Sequence, residues 1–285
     1  MSLFICPICE EALEKQGGSY RCAKGHSFDI SQKGHVNLLP VNRKNSAVPG
    51  DDPNMVRARR RFLERGYYAP LREAISRLCL KYSPDAPAFF DSGCGEGYYT
   101  HAVQNALCAS KTEVRCAGVD ISKSAVMLAA KLCPGAELAV ASAYHLPLAA
   151  GSINLLLNCF SPLCLEEFRR VLALGGHFFY VVPGPRHLWE LKSVLYDTPY
   201  ENSEEKTPYE GFEYSEIHRV SESVHLSCKE DIQDLFQMTP YFWKTPEAGK
   251  ERLSALSCLE TQIEFDIHVY EKISDLDNSG GEISQ

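Results

Sequence analysis

Apolar and polar positions alternate along the central part of the chain in the manner of an α/β protein. Short apolar runs, typical of buried strands, are separated by segments in which apolar residues recur with helical spacing. The predicted strands cover 88–90, 113–119, 137–141, 153–157 and 177–182, and the predicted helices cover 98–107, 122–132 and 165–172. Short connections between alternating strands and helices indicate a doubly wound, mostly parallel sheet.

The C-terminal part adds two longer strands to this pattern. Residues 258–270 alternate between apolar and polar positions, as expected for a strand with one buried face, and 211–226 is a second candidate. A helix is predicted between them at 231–238. The acidic and polar residues of 197–216 indicate a surface insertion. The sheet is therefore predicted to contain seven strands.

The N-terminal segment carries a cysteine and histidine pattern typical of a metal site. Cys6-Pro-Ile-Cys9 is followed after twelve residues by Cys22 and after three more by His26. Two ligand pairs joined by a hairpin turn at Gly17-Gly18 can enclose a tetrahedral zinc ion, and four protein ligands make such a site structural. The alternatives are ordinary buried cysteines or a redox Cys-x-x-Cys motif.

A basic segment connects this region to the α/β part. Residues 41–53 are polar and turn-forming, and 55–80 has the pattern of one helix. Guanidinium groups bind phosphate oxygens through paired hydrogen bonds, and residues 57, 60 and 61 share one helix face. The alternative interpretation is a solvated helix face. The candidate RNA-binding residues are Arg57, Arg59, Arg60, Arg61 and Arg65.

The net charge changes this picture only when it is divided along the chain. The formal value of −8 argues against a protein that binds nucleic acid over its whole surface. Residues 1–72 nevertheless carry a balance of +5, and the remainder carries −13, which hints at nucleic-acid contact by one part. Without a secretory pattern or an apolar run of membrane-spanning length, the twelve cysteines are predicted to be reduced thiols of a cytoplasmic protein.

A glycine-rich turn follows the first predicted strand of the α/β part. Asp91 ends that strand, and Ser92-Gly93-Cys94-Gly95-Glu96-Gly97 leads into the first helix. Glycines let a ligand approach the backbone closely, and Asp120, at the end of the second strand, is placed to bind a ribose. Because the carboxyl ends of parallel strands share one edge of the sheet, a nucleotide-type cofactor is predicted there.

The acid and the glycine loop resemble the first motif of the class I S-adenosylmethionine-dependent methyltransferases. Combined with the cysteine pattern and the basic helix, they are similar to the motifs of the bacterial 23S rRNA (guanine-N1)-methyltransferases. The further stretches that carry this resemblance are GHVNLLP at 34–40, ARRRFL at 58–63, DSGCGEGYYT at 91–100, PGPRHL at 183–188 and QMTP at 237–240.

The resemblance implies an enzyme that uses S-adenosylmethionine to methylate guanine N1 in a hairpin of 23S rRNA. It also implies one zinc ion on the four N-terminal ligands, a homodimer, and an antiparallel hairpin of the last two strands at the sheet edge. Neither DNA nor a membrane is an expected partner. The expected cofactor-binding residues are Tyr68, Asp91, Gly93, Gly95, Glu96, Gly97, Tyr98, Asp120, Ser142 and His187.

Several of these positions allow a second interpretation. Ser142 stands where many class I methyltransferases have an acid that holds the adenine amine, so the adenine contacts of this chain differ. From the residues alone, Tyr68 is more readily interpreted as an ordinary half-buried aromatic residue, and His187 as an exposed residue at a helix start. After the fourth strand, Phe160 is a candidate for stacking on a guanine and Asn158 for bonding its edge, whereas the alternative for Phe160 is a core position.

The catalytic base is not identified by any motif. Removal of the guanine N1 proton requires an acceptor within hydrogen-bond reach, and the candidates are Glu96, His145, Glu167 and His187. Two other functions compete with the enzyme: a zinc-dependent RNA-binding adaptor and a small-molecule methyltransferase. The predicted domains are a zinc-binding RNA-recognition domain at 1–42, a basic linker and helix at 43–80, a methyltransferase domain at 81–273 and a flexible tail at 274–285.

Overall fold

The computed structural model describes residues 2–40, 52–203 and 206–275. Its strands are β1 (Glu14–Gln16), β2 (Ser19–Arg21), β3 (Ser27–Asp29), β4 (His35–Asn37), β5 (Ala88–Ser92), β6 (Arg115–Asp120), β7 (Glu137–Val140), β8 (Ile153–Cys159), β9 (Leu172–Pro183), β10 (Phe212–Leu226) and β11 (Leu259–Lys272). Its helices are α1 (Pro53–Glu64), α2 (Ala69–Lys81), α3 (Tyr98–Ser110), α4 (Lys123–Leu132), α5 (Leu165–Val171), α6 (Trp189–Leu195), α7 (Lys229–Gln237), α8 (Tyr241–Lys244) and α9 (Glu247–Ala255).

Eight of the described strands form one sheet in the order β10-β11-β9-β8-β5-β6-β7-β4. The strands from β9 to β4 in that order are parallel, and β11 and β10 are antiparallel additions. The doubly wound, mostly parallel sheet and its antiparallel C-terminal hairpin are therefore confirmed. The predicted number of seven strands is wrong by one, because β4 of the N-terminal segment joins the sheet.

β4 attaches the N-terminal segment to the edge of the sheet. It pairs with β7, and the backbone N–H of Leu38 donates to Val140 O over 2.9 Å. A second contact lies at the start of β7, where Tyr20 Oη donates to Glu137 Oε2 over 3.0 Å. A strand of three residues is too short to show the two-residue period, so the pattern of the sequence did not reveal it. The cysteine-bearing segment is thus continuous with the sheet.

The single helix predicted over 55–80 is wrong, because α1 and α2 are separate. Gly66 lies between them with a φ of +84°, a left-handed conformation that most side chains disfavour. Its N–H donates to Leu63 O and its carbonyl accepts from the N–H of Ala69, so two successive turns separate the helices. Pro70 then occupies the first turn of α2, where a missing N–H costs nothing. Both breakers are visible in the sequence.

Two layers cover the central strands, and β5 is buried on both faces. Phe89 belongs to a hydrophobic cluster that includes residues of α2, α3 and α7, whereas Phe90 belongs to a second cluster that includes residues of α5 and the N-terminal segment. Every residue of β5 is buried. Because neither face of this strand reaches solvent, its carboxyl end is where a ligand can approach it.

Some predictions fall partly or wholly outside the described ranges. These are most of the turn-forming segment at 41–53, residues 204 and 205 of the acidic insertion, and most of the tail at 274–285. Within the insertion, Glu201 pairs with Arg186 at 3.4 Å. Among the helices of the described ranges, none has the length and apolar character needed to cross a membrane.

Candidate functional site

Asp91 is a buried carboxyl group at the carboxyl end of β5. It is 2% exposed, and its Oδ2 accepts a hydrogen bond from Thr100 Oγ1 over 2.6 Å. Burial raises the pKa of Asp91 to about 7, and the carboxylates of Asp120 and Glu96 act in the same direction, against the Thr100 hydrogen bond. Its Oδ1 has no hydrogen-bond partner within the described residues. A cationic ligand group would complete this site.

The glycine loop is held between two strands and a neighbouring turn. The N–H groups of Gly93 and Cys94 donate to Val119 O over 2.8 and 2.9 Å. Gly93 has a φ of +91°, and a Cβ there would lie 2.3 Å from Ser161 Cβ. Glycine is therefore required at this position both by the backbone conformation and by the close approach of the turn after β8.

Asp120 fixes the second half of the loop from the end of β6. Its Oδ2 accepts from the N–H of Gly95 over 3.0 Å, and its Oδ1 accepts from the N–H of Ser122 over 2.7 Å. The end of β7 is bound to the same point, because the N–H of Ala141, the residue after that strand, donates to Asp120 O. The following residue, Ser142, accepts from the N–H of Tyr144 through its Oγ. The acids, the glycine loop and Ser142 therefore meet at one edge, as predicted.

The turn after β8 presents an exposed ring and a buried amide. Phe160 has a φ of +57° and is 50% exposed, so the alternative interpretation as a core residue is wrong. Asn158 is fully buried and donates through Nδ2 to Ser161 Oγ and Pro162 O. Because a carbonyl can only accept, Pro162 fixes the orientation of this amide. Asn158 Oδ1 has no partner in the part of the chain that the structure describes.

Tyr68 and His187 meet in an aromatic cluster at the same edge of the sheet. His187 Nδ1 accepts from the N–H of Glu264 over 3.2 Å, and its Nε2 lies 3.4 Å from Tyr68 Oη. Both side chains are buried and contact the ring of Phe265, which also contacts Phe160. The interpretation of His187 as an exposed residue is therefore wrong. Burial lowers the pKa of His187 to about 3, so this ring is neutral and a poor proton acceptor at neutral pH.

The structure separates the other candidates for the catalytic base. Glu167 is bound by Arg170 and by the N–H of Leu146, and His145 lies exposed on the loop after β7. Glu96 lies in the glycine loop, where its Oε2 accepts from Arg59 Nε over 2.9 Å. Only Glu96 and His187 of the four candidates therefore lie beside the glycine loop or the aromatic cluster, and both already have partners.

The five candidate RNA-binding arginines are placed differently from one another. Arg57 donates to the side chain of Asn54, and Arg60 pairs with exposed Glu64 on the same helix. The other three face carboxylates that are buried in the protein, and these pairs are Arg59 with Glu96, Arg61 with Asp234 and Arg65 with Asp231. The roles of Asp231, Asp234 and Thr100 were not anticipated, because each depends on contacts between distant segments.

The four N-terminal ligands converge as a metal site requires. All four ligand atoms lie within 4.8 Å of one another, with Cys9 Sγ 3.7 Å from Cys22 Sγ. His26 Nδ1 lies 3.5 Å from Cys6 Sγ and 3.3 Å from Cys22 Sγ. A tetrahedral zinc ion with Zn–S bonds of about 2.3 Å separates its sulfur ligands by about 3.8 Å. The donor set and its spacing therefore fit zinc, with no position left for a substrate.

Loss of one zinc ligand should loosen the attachment of β4. We expect Cys9→Ser to lower the zinc content per chain and to speed hydrogen exchange at the amide of Leu38, because structural zinc supplies folding free energy of about 10 kcal/mol or more. Elemental analysis and native-state exchange measure the two effects. Cys108→Ser, a change at an exposed free thiol, is the matched control and should alter neither. Unchanged exchange in a zinc-free Cys9→Ser protein would contradict the prediction.

Comparison with known proteins agrees with these two sites. The zinc-ribbon family described as RlmA, N-terminal, matches residues 4–47, and the methyltransferase domain family matches residues 90–180. The predicted N-terminal zinc site and methyltransferase domain are thus confirmed.

Three relatives extend the similarity across the chain. A Bacillus subtilis protein, provisionally named 23S rRNA (guanine-N1-)-methyltransferase YxjB, is 31% identical over 93% of this chain and 96% of its own length. The 23S rRNA (guanine(748)-N1)-methyltransferase of Streptomyces fradiae is 35% identical over 67% of this chain and 66% of its own. A Micromonospora griseorubida protein, also provisionally named as a 23S rRNA (guanine-N1-)-methyltransferase, is 35% identical over 67% of this chain and 68% of its own. Because the similarity to the first relative covers nearly the whole of both chains, this chain belongs to the 23S rRNA (guanine-N1-)-methyltransferase family.

Proposed function

We propose that this protein transfers a methyl group from S-adenosylmethionine to N1 of a guanine in a hairpin of 23S rRNA. The observation that carries the proposal is the edge of the sheet at β5 and β8. There, buried Asp91, whose Oδ1 has no hydrogen-bond partner among the described residues, lies one strand away from the exposed ring of Phe160. A cofactor with a cationic end and a flat substrate base can therefore be held side by side.

The proposed cofactor site uses one group for each part of the ligand. Asp91 receives the ammonium group, Asp120 receives the ribose hydroxyls, and the segment at Ser142 faces the adenine. The glycine loop supplies the floor, and Tyr68 and His187 close the side near the substrate. The full set is Tyr68, Asp91, Gly93, Gly95, Glu96, Gly97, Tyr98, Asp120, Ser142 and His187.

The proposed substrate site lies on the turn after β8. Phe160 stacks on the target guanine, and Asn158 Oδ1 accepts a hydrogen bond from the exocyclic amine, which leaves N1 open to the methyl group. S-adenosylmethionine would supply an electrophilic methyl group on a sulfonium: N1 takes the methyl group, the sulfonium leaves as a neutral thioether, and the N1 proton is released to the solvent. The residues of this chain align the base with that methyl group and exclude water from the two.

The proposed RNA contacts outside the site lie on the zinc ribbon and on α1. Arg57 and Arg60 present guanidinium groups whose described partners are exposed side chains, so phosphate can replace those partners at small cost. A homodimer in the cytoplasm, with RNA held between two subunits, would compensate for the modest basic surface of one chain.

The function is tested by methylation of unmodified 23S rRNA. We expect radiolabel from S-adenosylmethionine to enter the RNA at one guanine, and reverse transcription to stop there, because N1 methylation blocks base pairing. Asp120→Ala should weaken cofactor binding through the lost ribose contact. Cofactor binding without labelled RNA, but with a labelled metabolite, would favour a small-molecule methyltransferase. RNA binding without cofactor binding would favour the adaptor.

The role of Asp91 predicts that cofactor affinity depends on pH. Because the pKa of this carboxyl group is about 7 in the free protein, its ionised and ammonium-binding form increases as the pH rises through 7. We therefore expect S-adenosylmethionine to bind about fivefold more tightly at pH 7 than at pH 6, because the ionised fraction of the carboxyl group rises from about one tenth to about one half. Calorimetric titration across this range measures the effect. Asp91→Asn should bind weakly with no such increase, and an equal increase in this variant would refute the assignment.

The proposed role of Phe160 predicts that its substitution weakens RNA binding without changing cofactor affinity. We expect Phe160→Ala to weaken RNA binding about 5- to 150-fold, the range that corresponds to about 1–3 kcal/mol for one stacked base. Phe160→Tyr keeps the ring and should bind RNA nearly as the parent does. Affinity for S-adenosylmethionine, measured without RNA, should be the same in all three proteins. Equal RNA binding by the alanine and tyrosine variants would exclude stacking.

A further inference from the structure

Two arginines at the end of α1, together with a nearby tyrosine, bind buried carboxylates of α7. Arg61 forms a two-pronged contact with Asp234, with Nε 2.9 Å from Oδ2 and Nη2 bound to Oδ1. Arg65 Nε lies 2.9 Å from Asp231 Oδ1, an ion pair without hydrogen-bond geometry. Tyr67 Oη donates to Asp231 Oδ2 over 2.6 Å. We call these five residues the α1–α7 clasp.

The carboxylates of the clasp depend on their arginines. Asp231 is 1% exposed and Asp234 is 5% exposed, whereas the two arginine side chains are each about half exposed. A buried carboxylate without a counter-charge is strongly unfavourable, so transfer of these arginines to RNA phosphates would leave two uncompensated charges inside the protein. The arginines at 61 and 65 are therefore held against α7, although the sequence predicts that they contact RNA.

The clasp lies directly next to groups of the proposed cofactor site. Arg59, two residues before Arg61 on α1, binds Glu96 of the glycine loop, and its Nη2 lies 3.5 Å from where a Cβ of Gly95 would be. Tyr67 of the clasp is followed by Tyr68, whose ring contacts Phe265 and His187. A shift of α1 relative to α7 would therefore move both Arg59 and Tyr68.

We propose that the α1–α7 clasp positions α1 against the glycine loop, so that Arg61 and Arg65 are positioning residues for the cofactor site rather than phosphate contacts. This proposal rests on the proposed function only because both involve the same cofactor site. Asp231 and Asp234 act through these arginines, and the arginines act through Arg59 and Tyr68.

A double-mutant cycle on Arg61 and Asp234 tests the proposal. We expect Arg61→Gln and Asp234→Asn each to raise the Kd for S-adenosylmethionine about tenfold, measured without RNA at a temperature where every variant is folded. The double variant should bind no more weakly than either single variant, because both remove the same interaction. Exchanging the charges, in Arg61→Asp with Asp234→Arg, should restore much of the affinity. Glu247→Gln, which removes an exposed carboxylate paired with Lys250, is the matched control and should leave the Kd unchanged.

The salt dependence of RNA binding separates positioning from phosphate contact. If Arg61 is a positioning residue, Arg61→Gln should leave unchanged the slope of log RNA affinity against log salt concentration. A phosphate contact predicts a slope smaller by about 1, together with an unchanged Kd for S-adenosylmethionine in Asp234→Asn. That second pattern would overturn the proposal, as would a lowered melting temperature with unchanged cofactor affinity in both single variants. If the parent protein binds S-adenosylmethionine but does not methylate rRNA, the proposed function is wrong. The double-mutant cycle then still tests whether the clasp positions the cofactor site.

Discussion

The contact between Ser161 and the backbone of β5 and the glycine loop is the constraint on which the site depends. Ser161 Oγ donates to Ser92 O and accepts from Asn158, and its Cβ occupies the space that a side chain at Gly93 would need. The turn that carries Phe160 is therefore fixed to the loop proposed to hold the methyl donor. Methyl transfer requires two reactants at a set distance, and in the proposed site this contact would set that distance through the backbone.

Much of the fold and part of the site could be predicted because they depend on local patterns. The strands of the parallel sheet are continuous apolar runs, and the glycine loop lies where a strand leads into a helix, so Asp91 and Asp120 could be placed at one edge. β4 could not be predicted, since three residues carry no period and its pairing with β7 joins segments about 100 residues apart in sequence. The break at Gly66 was predictable from local signals, but the helical spacing on both sides outweighed them.

The burial of individual side chains could not be predicted from the pattern of apolar and polar positions. His187 follows a Pro-Gly-Pro turn and reads as an exposed residue, yet the N–H of Glu264 on β11 holds its ring inside the aromatic cluster. A core position was the alternative interpretation of Phe160, yet this residue has a left-handed φ and its ring is half exposed. For His187 the deciding contact comes from a strand distant in sequence, which no local window contains.

The arginines of α1 show why charge along a sequence is not charge at a surface. The segment at 43–72 holds the whole positive excess of the first 72 residues, which suggests a basic arm. Arg59, Arg61 and Arg65 each face a carboxylate of the acidic remainder, so a large part of that excess is neutralised within the protein. The surface that RNA can meet is accordingly less basic than the segment. Since affinity for RNA grows with the number of phosphates neutralised, a single chain would bind modestly, and stacking on Phe160 would carry a larger share of recognition.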